Sequence, residues 1–345
     1  MTAPVTAVTA DAPADWDDYV VRHPQGTAYH LAKAVSIGRE AFGLAVHYVQ
    51  ASRDGRLVGV LPLVEQQSRL FGHYLVSLPF FTYGGLLSDD DASTAALLAA
   101  AKALGDKQGV DHVELRHTQA LPQCAWPERL DKVSLVLPLP SDEAQLAKAL
   151  GSKLRSQIRR AERENPDVEW GGEALLPEFY AVFARAMRDL GTPVYPRSFF
   201  VAVCRALGDK AQVLVVRVQG KAQSVALIVR HGASIEVPWA ASTPTGKQCA
   251  LNMRRYWELL RHAVAAGAAS FDFGRSSVDS GTYRFKQQWG AQPLQLHWHY
   301  GLPTGQPLPQ LNQSNPKYAL AASLWRRLPL WCANALGPLL IRNLP

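Results

Sequence analysis

Val46–Val64 reads "VHYVQASRDGRLVGVLPLV" and Val213–Val229 reads "VLVVRVQGKAQSVALIV". In the first, alternating apolar residues flank Asp54-Gly55, a pair suited to the central positions of a tight hairpin turn. The second repeats the pattern around Gly220. What surrounds the two hairpins decides the fold. The first is followed by "LPFFTYGGLL", an alanine- and leucine-rich helix near Thr94–Lys107, and "GVDHVELR". The second is followed by "IEVPWAAS", a helix near Leu251–Ala266 with Tyr256, Leu260 and Val264 on one face, and "GAASFDFGR". Gly109 matches Gly267, and Glu114 matches Asp272 at the same offset. Helical stretches around Trp16–Ala41 and Glu178–Leu207 precede the two hairpins. This ordered succession reads as one α/β (α+β) unit used twice, each helix packed across its own mixed sheet. It divides the chain into residues 15–140, residues 141–302, and a linker with a C-terminal amphipathic segment at 303–345.

Composition agrees. A chain of 345 residues, 48% hydrophobic and 19% charged, is long enough for two cored domains. The opening "MTAPVTAVTADAP" has neither a basic n-region nor an apolar h-region, so it does not read as a secretory signal. No run of about 18 uncharged apolar residues is present, which argues against a membrane span. The cysteines Cys124, Cys204, Cys249 and Cys332 lie far apart, with no CxxC and no histidine at metal spacing. They suit a reducing, cytoplasmic compartment and no metal site. A formal charge of +7 favours an anionic partner.

After Pro303, "TGQPLPQLNQSNP" has linker composition, and "KYALAASLWRRLPLWCANALGPLLIRNLP" is an amphipathic segment broken at Pro329. Three readings stay open for it. It is a strap on its own domains, a dimer contact, or a peripheral membrane contact with Trp325 and Trp331 buried and Arg326 and Arg327 at the headgroups.

Several segments together carry a family likeness: "PFFTYGGLL", "LGSKLRSQIRRAERENPDVE", "RDLGTPVYPRSFF", "VPWAAS" and "FDFGRSSVDSGTYRFKQQWG". The chain resembles the FemAB-like transferases, and within them the subgroup associated with PEP-CTERM/exosortase and exopolysaccharide systems. The resemblance covers nearly everything after about residue 15, and "RFKQQWG" is its most specific piece. It implies two tandem GNAT-like domains and transfer of an acyl or aminoacyl group onto an amine of a cell-envelope or exopolysaccharide-related precursor. It also implies no tightly bound cofactor, the activated donor being a co-substrate: aminoacyl-tRNA, acyl-CoA or acyl carrier protein. Two departures bear on the donor. The long helical arm of some Fem proteins does not fit between Pro138 and Val213, and "STPTGKQCALN" stands where GNAT enzymes carry a glycine-rich pyrophosphate loop. Glu164-Asn165 replaces a glycine common in the family, in a position where asparagine tolerates the left-handed conformation.

Amide formation needs a neutral amine near the carbonyl and donors for the developing oxyanion, with no covalent nucleophile. By the family match Lys286 is the cleft-facing cation, Phe285 walls it, and Arg275 and Ser276 serve the same cleft; the alternative for Lys286 is an exposed strand lysine. Asp272 either accepts the amine proton or fixes the Gly274 turn. Tyr83 and Gly84 form an aromatic followed by backbone open to a ligand, and Trp239 aligns with Tyr83 in the repeat. Tyr195 touches substrate or caps a core, and Glu236 is a weaker proton acceptor. After Pro140, Leu146, Leu150, Leu154 and Ile158 form the apolar stripe of one helix capped at Ser141. Arg155, Arg159 and Arg163 recur on another face, as a polyanion or tRNA contact or as a solvated face. The rivals to an envelope N-acyltransferase are a user of acyl-CoA or acyl carrier protein and a non-catalytic binding protein with the same fold.

Overall fold

The computed structural model describes residues 4–69, 71–309 and 316–344. The chain forms two compact units. Unit 1 comprises Met1–Lys132, Gln295–Leu311 and Arg342–Pro345, and unit 2 comprises Val133–Leu294 and Asn312–Ile341.

Unit 1 holds an eight-stranded sheet. Its order is β1 (Val5–Thr9), β2 (Ala45–Arg53), β3 (Arg56–Ser68), β4 (Gly72–Val76), β6 (His112–His117), β15 (His297–Gly301) and β7 (Glu128–Arg129), with β5 (Leu87–Ser88) against β3. The β2–β3 turn puts Asp54 and Gly55 at φ 51° and 74°, the left-handed pair that the sequence signalled. Helix α4 (Asp91–Gln108) starts at Asp90, whose carboxylate accepts the Ser93 N–H at 2.8 Å, and ends at Gly109, φ 68°. It lays Leu97, Ala101 and Leu104 across Leu61, Leu63 and Val113. The stretch expected to be helical at 16–41 is instead three short helices, α1 (Trp16–Arg22), α2 (Ala32–Val35) and α3 (Ile37–Phe42). Pro24 and Gly26, between the first two, suit a turn rather than a continuous helix.

The seven-stranded sheet of unit 2 runs β14 (Gln292–Gln295), β8 (Lys132–Pro138), β13 (Ser270–Ser277), β12 (Ser234–Ser242), β11 (Lys221–His231), β10 (Ala211–Val218) and β9 (Asp167–Gly171). Its hairpin turn puts Gln219 and Gly220 at φ 52° and 71°, and Gly267 after the long helix is at φ 67°. These values nearly repeat those of unit 1. One face is covered by α5 (Glu143–Ala149), α6 (Ser152–Glu162) and α10 (Leu251–Ala265), which meet Ile228, Ile235, Val237, Phe271 and Phe273. The other face carries α7 (Leu176–Leu190) and α8 (Arg197–Leu207). Leu146, Leu150, Leu154 and Ile158 all enter the first core. They come from two helices rather than one, because Leu150 is extended and Gly151 starts α6. The cap is Asp142, whose Oδ1 accepts the Gln145 N–H, rather than Ser141. Asn165 adopts φ 47°, as expected of the residue replacing a glycine.

Two strands join the sheet opposite to their place in the chain. β8 follows the first repeat yet joins the second sheet, and β15 follows the second repeat yet joins the first. The sequence boundaries at 140 and 302 group them the other way. A boundary read from repeats follows chain order, whereas sheet membership follows hydrogen bonding.

The tail forms α12 (Pro316–Arg327) and α13 (Leu330–Ile341), both against α7. Arg188 donates to the Leu328 carbonyl at 2.9 Å, and Ala333 and Gly337 are buried. The strap turns its small residues inward. Leu320 and Leu324 are exposed at 63% and 56%, and Trp331 at 73%. Among the described residues no helix is long and apolar enough to cross a membrane.

A Cβ at Gly337 would stand 2.9 Å from both the N and O of Val194, and backbone cannot yield there. Gly337→Leu should therefore destabilise unit 2 by about 1–3 kcal/mol, whereas Trp331→Ser stays within about 0.5 kcal/mol. Thermal denaturation separates them. A Gly337→Leu protein that melts like wild type would show that α13 is not held against Val194.

Candidate active site at the end of the parallel strand pair

Each sheet contains one parallel pair among its described pairings, and both stop at equivalent places. β4 pairs with β6 up to Val76 opposite Glu114, and β12 pairs with β13 up to Glu236 opposite Asp272. Where the parallel pairing ends in unit 2, several ionisable side chains are buried together. Glu236, Asp272 and Lys286 are 0%, 4% and 7% exposed.

Asp272 and Lys286 clamp one turn from two directions. Gly274 sits at φ 77° inside β13, a conformation that glycine adopts without strain. Its N–H donates to Asp272 Oδ1 at 2.7 Å, and Ser134 Oγ on β8 donates to the same oxygen. The carbonyls of Gly274 and Arg275 then accept from Lys286 Nζ at 2.7 and 3.0 Å. Lys286 lies in the last turn of α11 (Gly281–Gln287), which starts where Ser280 Oγ accepts the Tyr283 N–H. The "YRFK" stretch is therefore helical, and the lysine points back at the strand before it. This corrects the expectation of a cleft-facing or exposed strand lysine. Asp272 fixes the Gly274 turn, one of the two roles open to it.

Burial dominates the electrostatics. It pushes the Asp272 carboxyl up to about 7, with Glu236 adding to the rise, while Ser134, the Gly274 N–H and Lys286 hold it down. Burial also pushes the Lys286 ammonium down to about 8 against the pull of Asp272 and Glu236. Both groups thus exchange protons near neutrality, where a general acid or base works best. His231 Nε2 lies 3.2 Å from Glu236 Oε2. Ser276 Oγ is buried with no hydrogen-bond partner among the described residues.

The remaining candidates separate. Val229 faces Glu236 and Leu227 faces Trp239, so both side chains share one sheet face, with an extra β12 residue between them at the bulge holding Pro238. On that face Trp239 meets Phe199 and Phe200 at ring distances of 5.4 and 5.5 Å, and Tyr195 stacks on Phe199 at 4.7 Å. Tyr195 and Trp239 therefore belong to one aromatic cluster. Phe285 packs on Tyr256 at 5.3 Å, in the fringe of the α10 core rather than around the carboxylates. Arg275 is exposed. Arg155 and Arg159 are exposed on α6, which covers the opposite face of the sheet from Glu236 and Asp272. Tyr83 and Gly84 belong to unit 1. Tyr83 is buried 5.7 Å from Tyr29, and Gly84 N–H donates to the Arg116 carbonyl at 3.2 Å.

Ser134 and His231 were not singled out from the sequence. Ser134 reaches the site on a strand that follows the first repeat, which no local motif reports. His231 ends β11 five positions before Glu236, and only the hairpin register brings them together.

Unit 1 fills the equivalent place differently. Glu114 takes the position of Asp272, but Arg116 stands where Gly274 does, and its Nε donates to Glu114 Oε1 at 2.7 Å. The guanidinium then lies over Trp298, 4.4 Å from the ring centre. That carboxylate is neutralised by its own strand, which singles out unit 2 as the candidate catalytic unit.

Residues 152–287 match the family model described as the acetyltransferase (GNAT) domain, a span running from α6 through Lys286. No curated protein matches the sequence significantly. Among solved structures, FemX superposes with a TM-score of 0.65 at 16% identity, over 92% of this chain and 100% of that one. L-PGS from Bacillus licheniformis gives 0.57 at 14% identity, over 92% and 98%. A tandem GNAT protein from the clavulanic acid biosynthesis pathway gives 0.51 at 11% identity, over 87% and 100%. The fold is a tandem GNAT-like α/β arrangement of Fem- and GNAT-related type.

Two outcomes follow from the buried cluster. Lys286→Met leaves the Gly274 and Arg275 carbonyls without their donor, so it should cost about 2–4 kcal/mol of stability in denaturant titration. Wild-type stability would disprove the clamp. The second outcome is a pH dependence. Folded Asp272 keeps its proton up to about pH 7, whereas the unfolded carboxyl loses it near its ordinary value of 3.8. The native state therefore binds more protons across this window, and stability falls as pH rises through it, on the order of 2 kcal/mol between pH 5 and 7. Asp272→Asn should flatten that decline. Parallel profiles for the two proteins would remove the assignment.

Proposed function

We propose that this chain is an N-acyltransferase that moves an acyl or aminoacyl group from an activated donor to an amine. The acceptor on this reading belongs to a cell-envelope or exopolysaccharide-related precursor, as the sequence resemblance suggests. One observation carries the proposal. A buried carboxylate and a buried ammonium, both titrating near neutrality, meet where the parallel strands of a GNAT-like sheet stop pairing.

In the proposed reaction the amine nitrogen attacks the donor carbonyl, a C–N bond forms, and the C–O or C–S bond to the carrier breaks. The Asp272 carboxylate takes the proton that the amine gives up, and the departing alkoxide or thiolate takes one in return. Lys286 acts as a positioning residue. Its ammonium holds the turn carbonyls and keeps enough Asp272 ionised to act as base. Between β12 and α10 stands the short helix α9 (Pro244–Gln248), where the Gly246 N–H is taken by Thr243 Oγ1 at 2.9 Å.

The test is product detection by mass spectrometry with charged tRNA, acyl-CoA and acyl carrier protein offered separately with amine acceptors. One donor should give an amide product, and Asp272→Asn should lower its turnover about 100-fold or more. If charged tRNA is that donor, Arg155→Gln with Arg159→Gln should flatten the fall of binding with salt. Near-normal turnover of Asp272→Asn would reject the base assignment. No product from any donor would favour the binding-protein reading.

A further inference from the structure

We propose that the outer face of the α12–α13 tail docks on an anionic lipid surface. The proposal is independent of the catalytic reading. The tail sorts its residues against the usual rule for a strap. Ala333 and Gly337, one turn apart, face unit 2, while Leu320, Leu324, Trp331, Leu336 and Leu339 are 46% to 73% exposed. Leu320 and Leu324 are one turn apart on α12, and Trp331 and Leu339 two turns apart on α13, so each helix keeps an apolar stripe in solvent. Had the tail served only to cover unit 2, these side chains would contribute most by facing inward, at about 25 cal/mol per Å² of apolar area.

Charge names the occupant. After Asp279 the sequence contains no aspartate or glutamate, while Arg326, Arg327 and Arg342 lie within the tail. Arg326 and Arg327 are exposed at the end of α12, beside the break at Pro329. Leucines and a tryptophan bordered by arginines, in a segment with no acidic residue of its own, suit a helix lying in the headgroup layer of an anionic bilayer, with Asp189 of α7 the acidic group beside it. A second copy would meet the same arginines with its own, and like charges oppose that pairing. Neither helix is long enough to cross the bilayer.

Co-sedimentation of the full chain with vesicles of phosphatidylglycerol and phosphatidylcholine, against phosphatidylcholine alone, tests this. Wild type should pellet with the anionic vesicles at low salt and be released at high salt. Arg326→Gln with Arg327→Gln should weaken binding roughly 25-fold, at about 1 kcal/mol per basic residue. Trp331→Ser with Leu339→Ser should weaken it roughly tenfold or more. Both pairs are exposed, so melting temperatures should stay near wild type. If either variant misfolds, the lipid and salt dependence of wild type decides alone. Wild type left in the supernatant with anionic vesicles, or bound equally at high salt or to phosphatidylcholine, overturns the proposal. A concentration-dependent dimer in sedimentation equilibrium that Trp331→Ser abolishes overturns it in favour of a second copy.

Discussion

Taking Asp272, Glu236 and Lys286 out of water is the constraint around which the second unit is arranged. Charges buried this deeply are tolerated only where each finds partners, since desolvation of one unpaired ion costs several kcal/mol. The chain meets that need with one left-handed residue. Gly274 turns its N–H toward the Asp272 carboxylate and leaves its carbonyl, with that of Arg275, open to the Lys286 ammonium. The same bonds tie α11 back onto β13, and β8 is tied in through Ser134. The compensation is incomplete, and burial still moves Asp272 and Lys286 toward their neutral forms. Incomplete compensation leaves a proton that can move.

The first unit shows the alternative, a buried carboxylate paired directly with a cation of its own strand. At the matching register Glu114 is satisfied by Arg116 from its own strand, and Trp298 on β15 covers the guanidinium. The difference reduces to one position, arginine in one repeat and glycine in the other. An arginine there closes the carboxylate off, whereas a glycine leaves backbone that a helix from elsewhere must satisfy. The two units thus share one strand arrangement, and only the second keeps its carboxylate in balance with a cation from a separate helix.

Much of this architecture could be read from residue order. Asp54-Gly55 and Gly220 marked the hairpins, Gly109 and Gly267 marked equivalent helix ends, and Glu114 and Asp272 marked equivalent strand positions, because turn chemistry and helix termination are local. The exchange of β8 and β15 between sheets was not legible, since strand partners are chosen by non-local hydrogen bonds. At the site, Asp272, Glu236 and Lys286 were named from motif and likeness, but the burial of Lys286 was not. A lysine in a short polar run reads as exposed unless its neighbours are known. The inverted tail was missed for a related reason. Periodicity tells that a helix has an apolar face, but not that Ala333 and Gly337 fit closer to unit 2 than the leucines do.

On the proposed acyl-transfer reading, the placement of the arginines limits what a donor can be. Arg155 and Arg159 stand on α6, outside the helical layer over the Ile235 and Phe271 face, while Asp272 and Glu236 point to the α7–α8 face. Packed layers are separated by roughly 10 Å, so a ligand touching both must pass around an edge of the sheet. A small acyl thioester seated at Asp272 does not have that reach. A carrier such as tRNA does, because its body extends far beyond the reacting ester. On that reading, participation of the α6 arginines in binding would belong to a macromolecular donor. If they take no part, the stripe is a solvated helix face and the donor is free to be small. The two faces of one sheet thus turn a question about donor chemistry into a question about donor size.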